Sequence, residues 1–336
     1  MSGRYFTAPF LCAVIILSRI SFKQLKYAGL PILFFMLMMG LINPYSPIHT
    51  SAYYDKPAVY NYQISDERDV YYKSTGLLVY GKEHALPQSQ FAIDGKKLRK
   101  KGKSVIKSAS VGIAGYYAGP EVHIIDMYAL GDPLLARINI MNRKRWRIGH
   151  FPRAIPFNYK QTLESGMMKL TDPDLARFYN KISLLVRGDL FSFKRLYEIW
   201  NMNLGKYNYL IDKYCQNPLK IHFRDLKRKK DRGSWMDDDV LMFSEEGLLV
   251  DMGSIYHPGR INISVENSDN YLLQLYKKGT LLKEYNIPIR METNIRGLLN
   301  YEIKIDAEVQ KNGCDMIKII PQRGDGFYSM GRLIVD

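Results

Sequence analysis

Two apolar stretches near the start of the chain, Tyr5–Ser18 and Ala28–Ile42, constrain its fold more than any other feature. Neither contains a charged residue, and flanking aromatic residues extend both towards the roughly 20 residues that a membrane-spanning helix needs. The linker between them carries three basic residues, and positive charge in short loops stays cytoplasmic. The sequence therefore predicts a transmembrane helical hairpin over residues 1–44, with the chain from about residue 45 outside the cytoplasm.

Two other interpretations of these stretches stay open. A cleaved signal peptide would need a small-x-small cleavage site, but a second apolar run follows the first at once. A helical hairpin buried in a soluble core is the other possibility, because each run is short for a membrane span.

The chain is strongly basic, with 48 Lys and Arg against 33 Asp and Glu and a net charge of +15. The basic residues cluster in two runs, 96–103 and 224–232. Such runs form a solvated face, or they bind anionic lipid head groups or a phosphate-bearing ligand. They also occur in nucleic-acid-binding proteins, but we favour the first two interpretations and expect no nucleic acid partner.

Cysteine and histidine usage gives no indication of a metal centre. The sequence contains neither a CxxC nor an HExxH pattern, so we expect no metal ion and no cofactor. Cys215 and Cys314 fall in different predicted domains, and although a disulfide between them is possible, free thiols are the favoured state.

Residues 45–238 are predicted to form a mixed α/β-helical domain. A buried strand is expected within 104–115 and a second one at Val122–Asp126. Helix signals follow, with Asp or Ser at the N-cap and in two cases Pro next to it. They fall at 132–137, 172–185 and 192–200, and residues 208–215 are expected to extend the last of these helices. The apolar stripe of the 192–200 helix is expected to face the core.

Residues 239–336 alternate between apolar and polar positions and contain turn signals at short intervals. This pattern is typical of an antiparallel β-sandwich, here expected to be jelly-roll-like. The Lys311-Asn312-Gly313 sequence predicts a hairpin turn between two of the strands.

The stretch Gly115–Arg153 combines two aspartates, two histidines and several arginines within about forty residues. The strings YAGPEVHIID, LGDPLLAR and WRIGHFPRAIP follow one another in this region. Their order resembles the post-membrane domain of bacterial GT-C glycosyltransferases of the arabinofuranosyltransferase type. The resemblance covers residues 2 to about 200, and beyond residue 240 it is architectural, a β-sandwich that resembles a carbohydrate-binding module.

The resemblance implies a polyprenyl-phosphate-linked sugar as donor, an arabinofuranose-like sugar for transfer, and a cell-envelope glycan as acceptor. It also implies the bacterial cytoplasmic membrane as location and the lipid bilayer as a partner. In such enzymes the catalytic acid lies in the first extracytoplasmic loop of a many-helix membrane domain, which this sequence lacks. The chain is therefore expected to be a C-terminal portion, inactive without the missing membrane domain, and its catalytic residues are unknown. The alternative is a non-catalytic, membrane-anchored glycan-binding or scaffold protein.

Seven residues are candidates for binding the substrate or its phosphate. Arg4 is suited to the donor phosphate, or is an interfacial anchor. Asp126 and Asp132 are suited to sugar hydroxyls or to orienting arginines, although Asp132 also has the sequence context of an N-cap. The remaining four could form a phosphate-facing or acid-paired network, namely Arg137, Arg147, His150 and Arg153.

A further pair of acids, Asp66 and Glu67, has the composition of an acid/base couple. A surface charge cluster is the favoured interpretation of this pair.

Overall fold

The computed structural model describes residues 7–19, 27–42, 89–141, 149–226, 232–233, 237, 240–290, 297–324 and 328–336. The chain divides into two compact units. The first comprises residues 1–100 with 112–119, and the second comprises residues 101–111 with 120–336. The predicted domain boundary between residues 238 and 239 stays a prediction.

The two apolar stretches form separate short helices, α1 (Thr7–Ser18) and α2 (Gly29–Ile42), of 12 and 14 residues. At 1.5 Å per residue, even α2 is only about 21 Å long, whereas the hydrocarbon core of a bilayer is about 30 Å thick. Among the residues that the structure describes, no helix is both long and apolar enough to cross a bilayer. The prediction of two transmembrane helices is therefore wrong, and so is the location in the cytoplasmic membrane that depended on it.

Two further helices belong to the first unit, α3 (Gln90–Lys101) and α4 (Gly112–Ala118). They cross at Gly95, where a Cβ atom would lie only 2.4 Å from the carbonyl oxygen of Ala114. Only glycine fits such a close approach between two backbones. The first basic run, 96–103, begins on α3, and the Lys96 ammonium lies 5.4 Å from the centroid of the Tyr117 ring.

The second unit begins with two parallel strands, β1 (Ser104–Ser108) and β2 (Val122–Asp126). The second strand has the predicted bounds, whereas the first is shorter than the predicted 104–115 because helix α4 begins at Gly112. A 3-10 turn follows at Leu135–Arg137. Four helices come next, namely α5 (Tyr159–Ser165), α6 (Pro173–Arg187), α7 (Phe193–Asn203) and α8 (Asn208–Cys215).

The starts of α6 and α7 confirm the predicted N-caps. The Asp172 carboxylate accepts a hydrogen bond from the Leu175 N–H at 2.8 Å, and Pro173 occupies the first helical position. The Ser192 hydroxyl accepts one from the Arg195 N–H at 3.3 Å. The predicted continuation of this helix to Cys215 is wrong, because Gly205 in the left-handed region ends the first segment and α8 starts anew.

In the described residues that follow α8, the second unit contains nine strands, one short α-helix and a 3-10 turn at Phe223–Leu226. The strands and the α-helix are β3 (Leu219–His222), β4 (Leu241–Met242), β5 (Leu248–Tyr256), β6 (Arg260–Glu266), β7 (Asn270–Lys277), β8 (Thr280–Ile287), β9 (Leu298–Lys304), α9 (Ala307–Asn312), β10 (Cys314–Arg323) and β11 (Ser329–Val335). They form one sheet of order β3-β5-β10-β7-β8 and another of order β4-β11-β6-β9.

The strands β4 to β11 pair as nested antiparallel partners. Strand β4 pairs with β11, β5 with β10 and β6 with β9. Strands β7 and β8 form the central hairpin. This is the pairing of a jelly roll. Strand β3 adds to the edge of β5 in parallel, so it extends the larger sheet from four strands to five.

The core of this part of the molecule lies between the two sheets. Along β6 the side chains of Ile261, Ile263 and Val265 are fully buried, and in the opposite sheet Leu273 and Ile317 are fully buried too. These positions alternate with more exposed ones in the larger sheet, as expected for strands with one face against a core.

The predicted hairpin turn at Lys311-Asn312-Gly313 is wrong. Residues 307–312 form helix α9, and Gly313 ends it with a positive φ of 71°. A hairpin turn lies instead at Lys278-Gly279, between β7 and β8, where both residues have positive φ, as in a type I′ turn.

Candidate functional site

The end of β2 and the loop after it carry the two aspartates that the sequence singled out, Asp126 and Asp132, and both are engaged by the backbone. The Asp126 carboxylate accepts hydrogen bonds from the N–H groups of Tyr128 (3.0 Å) and Gly131 (2.7 Å). Asp132 accepts from the N–H groups of Leu134 and Leu135, both at 2.9 Å. The two carboxylates therefore hold the loop and the 3-10 turn in shape.

Asp132 is only 3% exposed and has one further partner, the hydroxyl of Tyr159 on α5. This hydroxyl lies 3.2 Å from each carboxylate oxygen. Burial raises the pKa of Asp132, and the hydrogen bonds offset this only in part. Burial and the neighbouring Asp132 carboxylate raise the pKa of Tyr159 as well, so this hydroxyl stays protonated and donates.

The segment 149–153 lies alongside this loop. The Arg153 N–H donates to the Met127 carbonyl at 2.9 Å, and the His150 ring meets the edge of the Tyr128 ring at 4.9 Å. The Arg153 guanidinium donates to the Phe151 carbonyl at 2.8 Å, and its Nε is buried with no hydrogen-bond partner among the described residues. The fold thus places Asp126, His150 and Arg153 around the same two residues, Met127 and Tyr128.

Arg137 belongs to the same loop but is exposed, and it donates to the Pro133 carbonyl at 2.7 Å. Arg4, Arg147, Asp66 and Glu67 lie outside the described residues. Their assigned roles stay predictions.

A half-buried histidine that the sequence analysis did not select also lies in this part of the molecule. Burial lowers the pKa of His123 on β2, and the positive charge of Arg187 at the end of α6 lowers it further. The same Arg187 acts electrostatically on Tyr159 and Tyr179, whose rings meet edge to face at 5.6 Å. Tyr159 on α5 and Tyr179 on α6 lie close to Asp132. Both carboxylate oxygens of Asp132 already have hydrogen-bond partners and are nearly inaccessible, so these residues, together with His123 on β2, are suited to holding α5 and α6 against β2.

A small cavity lies beside the Arg153 segment, where the helices meet the β-strands. Its volume is about 30 Å³, and it is lined in part by Asn139, Ala154, Cys215 and Met242. A cavity of this size holds one or two water molecules and is too small for a sugar.

The larger surface feature is the solvent-facing side of the five-stranded sheet, which we term the outer sheet face. Residues paired directly across neighbouring strands point to the same side of a sheet. One row across all five strands runs Lys220, Leu249, Lys318, Gln274 and Glu284.

Two further rows flank the first. One is formed by His222, Asp251, Met316 and Tyr276, and the other by Ile320, Leu272 and Asn286. The alternate positions of the same strands, such as Val250, Leu275 and Ile317, are fully buried, so the three rows face away from the core.

The polar side chains of the outer sheet face are held by one another. The Tyr276 hydroxyl donates to the Gln274 amide oxygen at 2.8 Å, and the Gln274 amide nitrogen donates to Glu284 at 2.5 Å. At the other end of the neighbouring row, His222 Nδ1 lies 3.3 Å from the Asp251 carboxylate, with both side chains about half exposed. The face therefore presents oriented hydrogen-bond donors and acceptors beside apolar Leu249.

Sequence analysis missed this face because the pairing register decides which residues meet. The alternation in β7 and β10 indicates which positions point outwards, but it does not indicate that Lys318 lies between Leu249 and Gln274. Strand β3 carried no strand signal that we recognised.

Cys215 and Cys314 are free thiols, as favoured from the sequence.

A scan of protein-family models found none that matches this chain, and a search of curated proteins found no match either. The resemblance to GT-C glycosyltransferases therefore stays a prediction.

Proposed function

We propose that this chain is a non-catalytic glycan-binding protein that holds a cell-envelope polysaccharide on its outer sheet face. The row of Lys220, Leu249, Lys318, Gln274 and Glu284 across five strands is the observation that carries the proposal. The resemblance to arabinan-building transferases supports a glycan as the ligand.

The chemistry of the outer sheet face matches a polyhydroxylated ligand. An amide and a carboxylate each offer planar groups that bind neighbouring hydroxyls, and a lysine ammonium donates without needing an anion. Gln274 and Glu284 are held in place before any ligand arrives, which lowers the entropy cost of binding.

The two candidate acids that the structure describes, Asp126 and Asp132, are suited to a structural role and not to catalysis. Glycosyl transfer needs an accessible carboxylate near the reacting hydroxyl, whereas Asp126 and Asp132 are buried and satisfied by backbone N–H groups. Transfer of sugar from a polyprenyl-phosphate donor by the purified 336-residue chain would overturn the non-catalytic part of the proposal.

Affinity electrophoresis of the full chain through gels containing a soluble arabinan, or another neutral polysaccharide, tests the proposal. We expect the wild type to be retarded and Gln274→Ala to lose most of the retardation, since it removes the side chain that links Tyr276 to Glu284. Tyr276→Phe keeps the ring but loses the hydroxyl that holds Gln274, and we expect a smaller loss, on the order of a few-fold in affinity.

Asn300→Ala is the matched control, because Asn300 is an exposed polar residue on β9 of the other sheet. We expect it to migrate like the wild type. Equal retardation of Gln274→Ala and wild type, or no retardation in any neutral polysaccharide, would contradict the assignment of this face.

A further inference from the structure

Helix α7 is inverted relative to an ordinary surface helix. Its buried residues are polar, Glu198 and Asn201. Its apolar stripe faces outwards, with Phe193 91%, Tyr197 59% and Trp200 66% exposed. The prediction that this stripe belongs to the core is therefore wrong.

The inversion is built into the packing of α7. Glu198 accepts a hydrogen bond from the Lys181 ammonium of α6 at 2.7 Å and another from the Tyr207 hydroxyl. Asn201 donates to the same hydroxyl at 3.4 Å. Because a buried polar network of this kind fixes the rotation of the helix about its axis, the aromatic stripe has no way to turn inwards.

The exposed apolar surface continues beyond the helix. Leu190 and Phe191 precede it and Leu204 follows it, and all three are more than 60% exposed. We term the seven residues the α7 stripe, namely Leu190, Phe191, Phe193, Leu196, Tyr197, Trp200 and Leu204.

The size of the α7 stripe sets it apart from chance exposure. Aromatic side chains contribute about 150–250 Å² each, so four exposed rings and three leucines supply roughly 700–900 Å² of apolar surface. The largest apolar patch on a typical monomer is about 300–600 Å². One partner of a standard protein interface buries about 800 Å².

We propose that the α7 stripe is the interface of a two-fold symmetric dimer of this chain. The proposal is independent of glycan binding. Within helix α7, the residues of the α7 stripe lie at positions 193, 196, 197 and 200. Their spacings are three, one and three, and this order is the same in both directions along the helix. In an antiparallel pair of α7 helices centred between Leu196 and Tyr197, Phe193 meets Trp200 of the second copy, and Leu196 meets its Tyr197.

The charges at the two ends of the α7 stripe agree with this pairing. Exposed Asp189 precedes the helix, and Lys206 follows it with its ammonium 5.6 Å from the Tyr197 ring centroid. Antiparallel pairing brings Asp189 of one copy towards Lys206 of the other at the rim. Arg195 is already held by the carbonyls of Leu185 (2.8 Å) and Leu190 (3.1 Å).

Sedimentation equilibrium of the full chain tests the proposal. We expect a concentration-dependent dimer for the wild type, and for Trp200→Glu a dissociation constant raised by roughly thirtyfold or more, as for a central aromatic hot spot. Leu281→Glu on β8 is the control, because Leu281 is also exposed but lies outside the stripe, and we expect it to dimerise like the wild type. At concentrations at which both proteins are monomeric, unfolding of Trp200→Glu in urea should match that of the wild type, since the side chain lies in solvent in the monomer.

Cross-linking separates this interface from association through the exposed apolar residues of α1 and α2. In a Cys12→Ser background, a short bismaleimide should link two copies through Leu196→Cys, near the two-fold axis. Asn203→Cys should not be linked, because the two copies of residue 203 lie about 20 Å apart along an antiparallel pair.

Three outcomes would overturn the proposal. They are a wild type that stays monomeric at every concentration, a dimer that survives Trp200→Glu, and cross-linking at residue 203 as efficient as at residue 196. Binding of the monomer to phosphatidylglycerol vesicles that disappears in Trp200→Glu would assign the α7 stripe to a lipid surface instead.

Discussion

At the scale of single residues, Asp132 illustrates how a polar group is accommodated in the interior. Its carboxylate receives two backbone N–H groups and the Tyr159 hydroxyl, so its desolvation is offset by hydrogen bonds. Burial still raises its pKa above the ordinary value of 3.8. A group whose pKa is raised in the folded state stabilises the fold most when protonated, and this contribution is lost as the pH rises through the raised pKa.

Replacing Asp132 tests this account. Asp132→Ala leaves the N–H groups of Leu134 and Leu135 without a partner, and we expect it to lower the free energy of unfolding by roughly 1–3 kcal/mol. Asp132→Asn keeps an acceptor oxygen and removes the ionisation. The free energy of unfolding of this variant relative to that of the wild type should increase as the pH rises from 4 to 7. Urea unfolding followed by circular dichroism measures this difference. A constant difference between Asn variant and wild type across this range would contradict the raised pKa.

At the scale of elements, the contact between α6 and α7 contains a buried ion pair, Lys181 with Glu198. The Glu198 side chain is 8% exposed and its Lys181 partner 36%. Burial acts to raise the pKa of Glu198, but the hydrogen bonds from Lys181 and Tyr207 outweigh it, so the pKa lies below its ordinary value of 4.5. The pair therefore stabilises the fold above about pH 4.5, and this contribution is lost as the pH falls through the lowered pKa.

Lys181→Met removes the cation and keeps the length of the side chain. It leaves a buried carboxylate with fewer partners, and we expect the free energy of unfolding at pH 7 to fall by roughly 1–3 kcal/mol. Lys213→Met is the matched control, since Lys213 contacts Asp174 at the same 2.7 Å distance but is 69% exposed. A smaller change is expected there, because water screens an exposed ion pair. Equal effects of the two substitutions in urea unfolding would show that burial of Glu198 is unimportant.

At the scale of the whole molecule, the second unit joins its helical part to the jelly roll through β3. This strand follows α8 in the chain and pairs with β5 from Leu219 to His222. The Lys107 ammonium adds a second link, since it donates to the Asp237 carbonyl at 2.8 Å. We therefore expect the helices and sheets of this unit to unfold together.

Ile221→Ala tests this coupling, because Ile221 on β3 is buried at the sheet edge. We expect a loss of roughly 2–4 kcal/mol in the free energy of unfolding. Near-ultraviolet circular dichroism of the buried tyrosines and far-ultraviolet circular dichroism of the backbone should shift to the same lower urea midpoint. Lys220→Ala, on the exposed side of the same strand, should change the free energy by less than about 0.5 kcal/mol. Two separate transitions in Ile221→Ala would show that the parts unfold independently.

Local patterns in the sequence predicted the elements but not their environment. The N-caps at Asp172 and Ser192 and the bounds of β2 depend on neighbouring residues, and the structure confirms them. The apolar stripe of α7 has the same spacing as a core-facing stripe, because periodicity shows that one face is apolar and says nothing about what covers it. The hairpin signal at 311–313 failed for a similar reason, since Asn-Gly also ends a helix.

The sequence by itself determined where α6 and α7 begin, the bounds of β2, and that about the last hundred residues form short strands, because these depend on local backbone preferences. Only the tertiary structure decided that β3 joins the jelly roll and that Gln274 lies between Lys318 and Glu284. It also decided that α7 turns its aromatic residues outwards. These outcomes depend on residues far apart in the chain, and the buried pairing of Glu198 with Lys181 outweighs the preference of Trp200 for the interior.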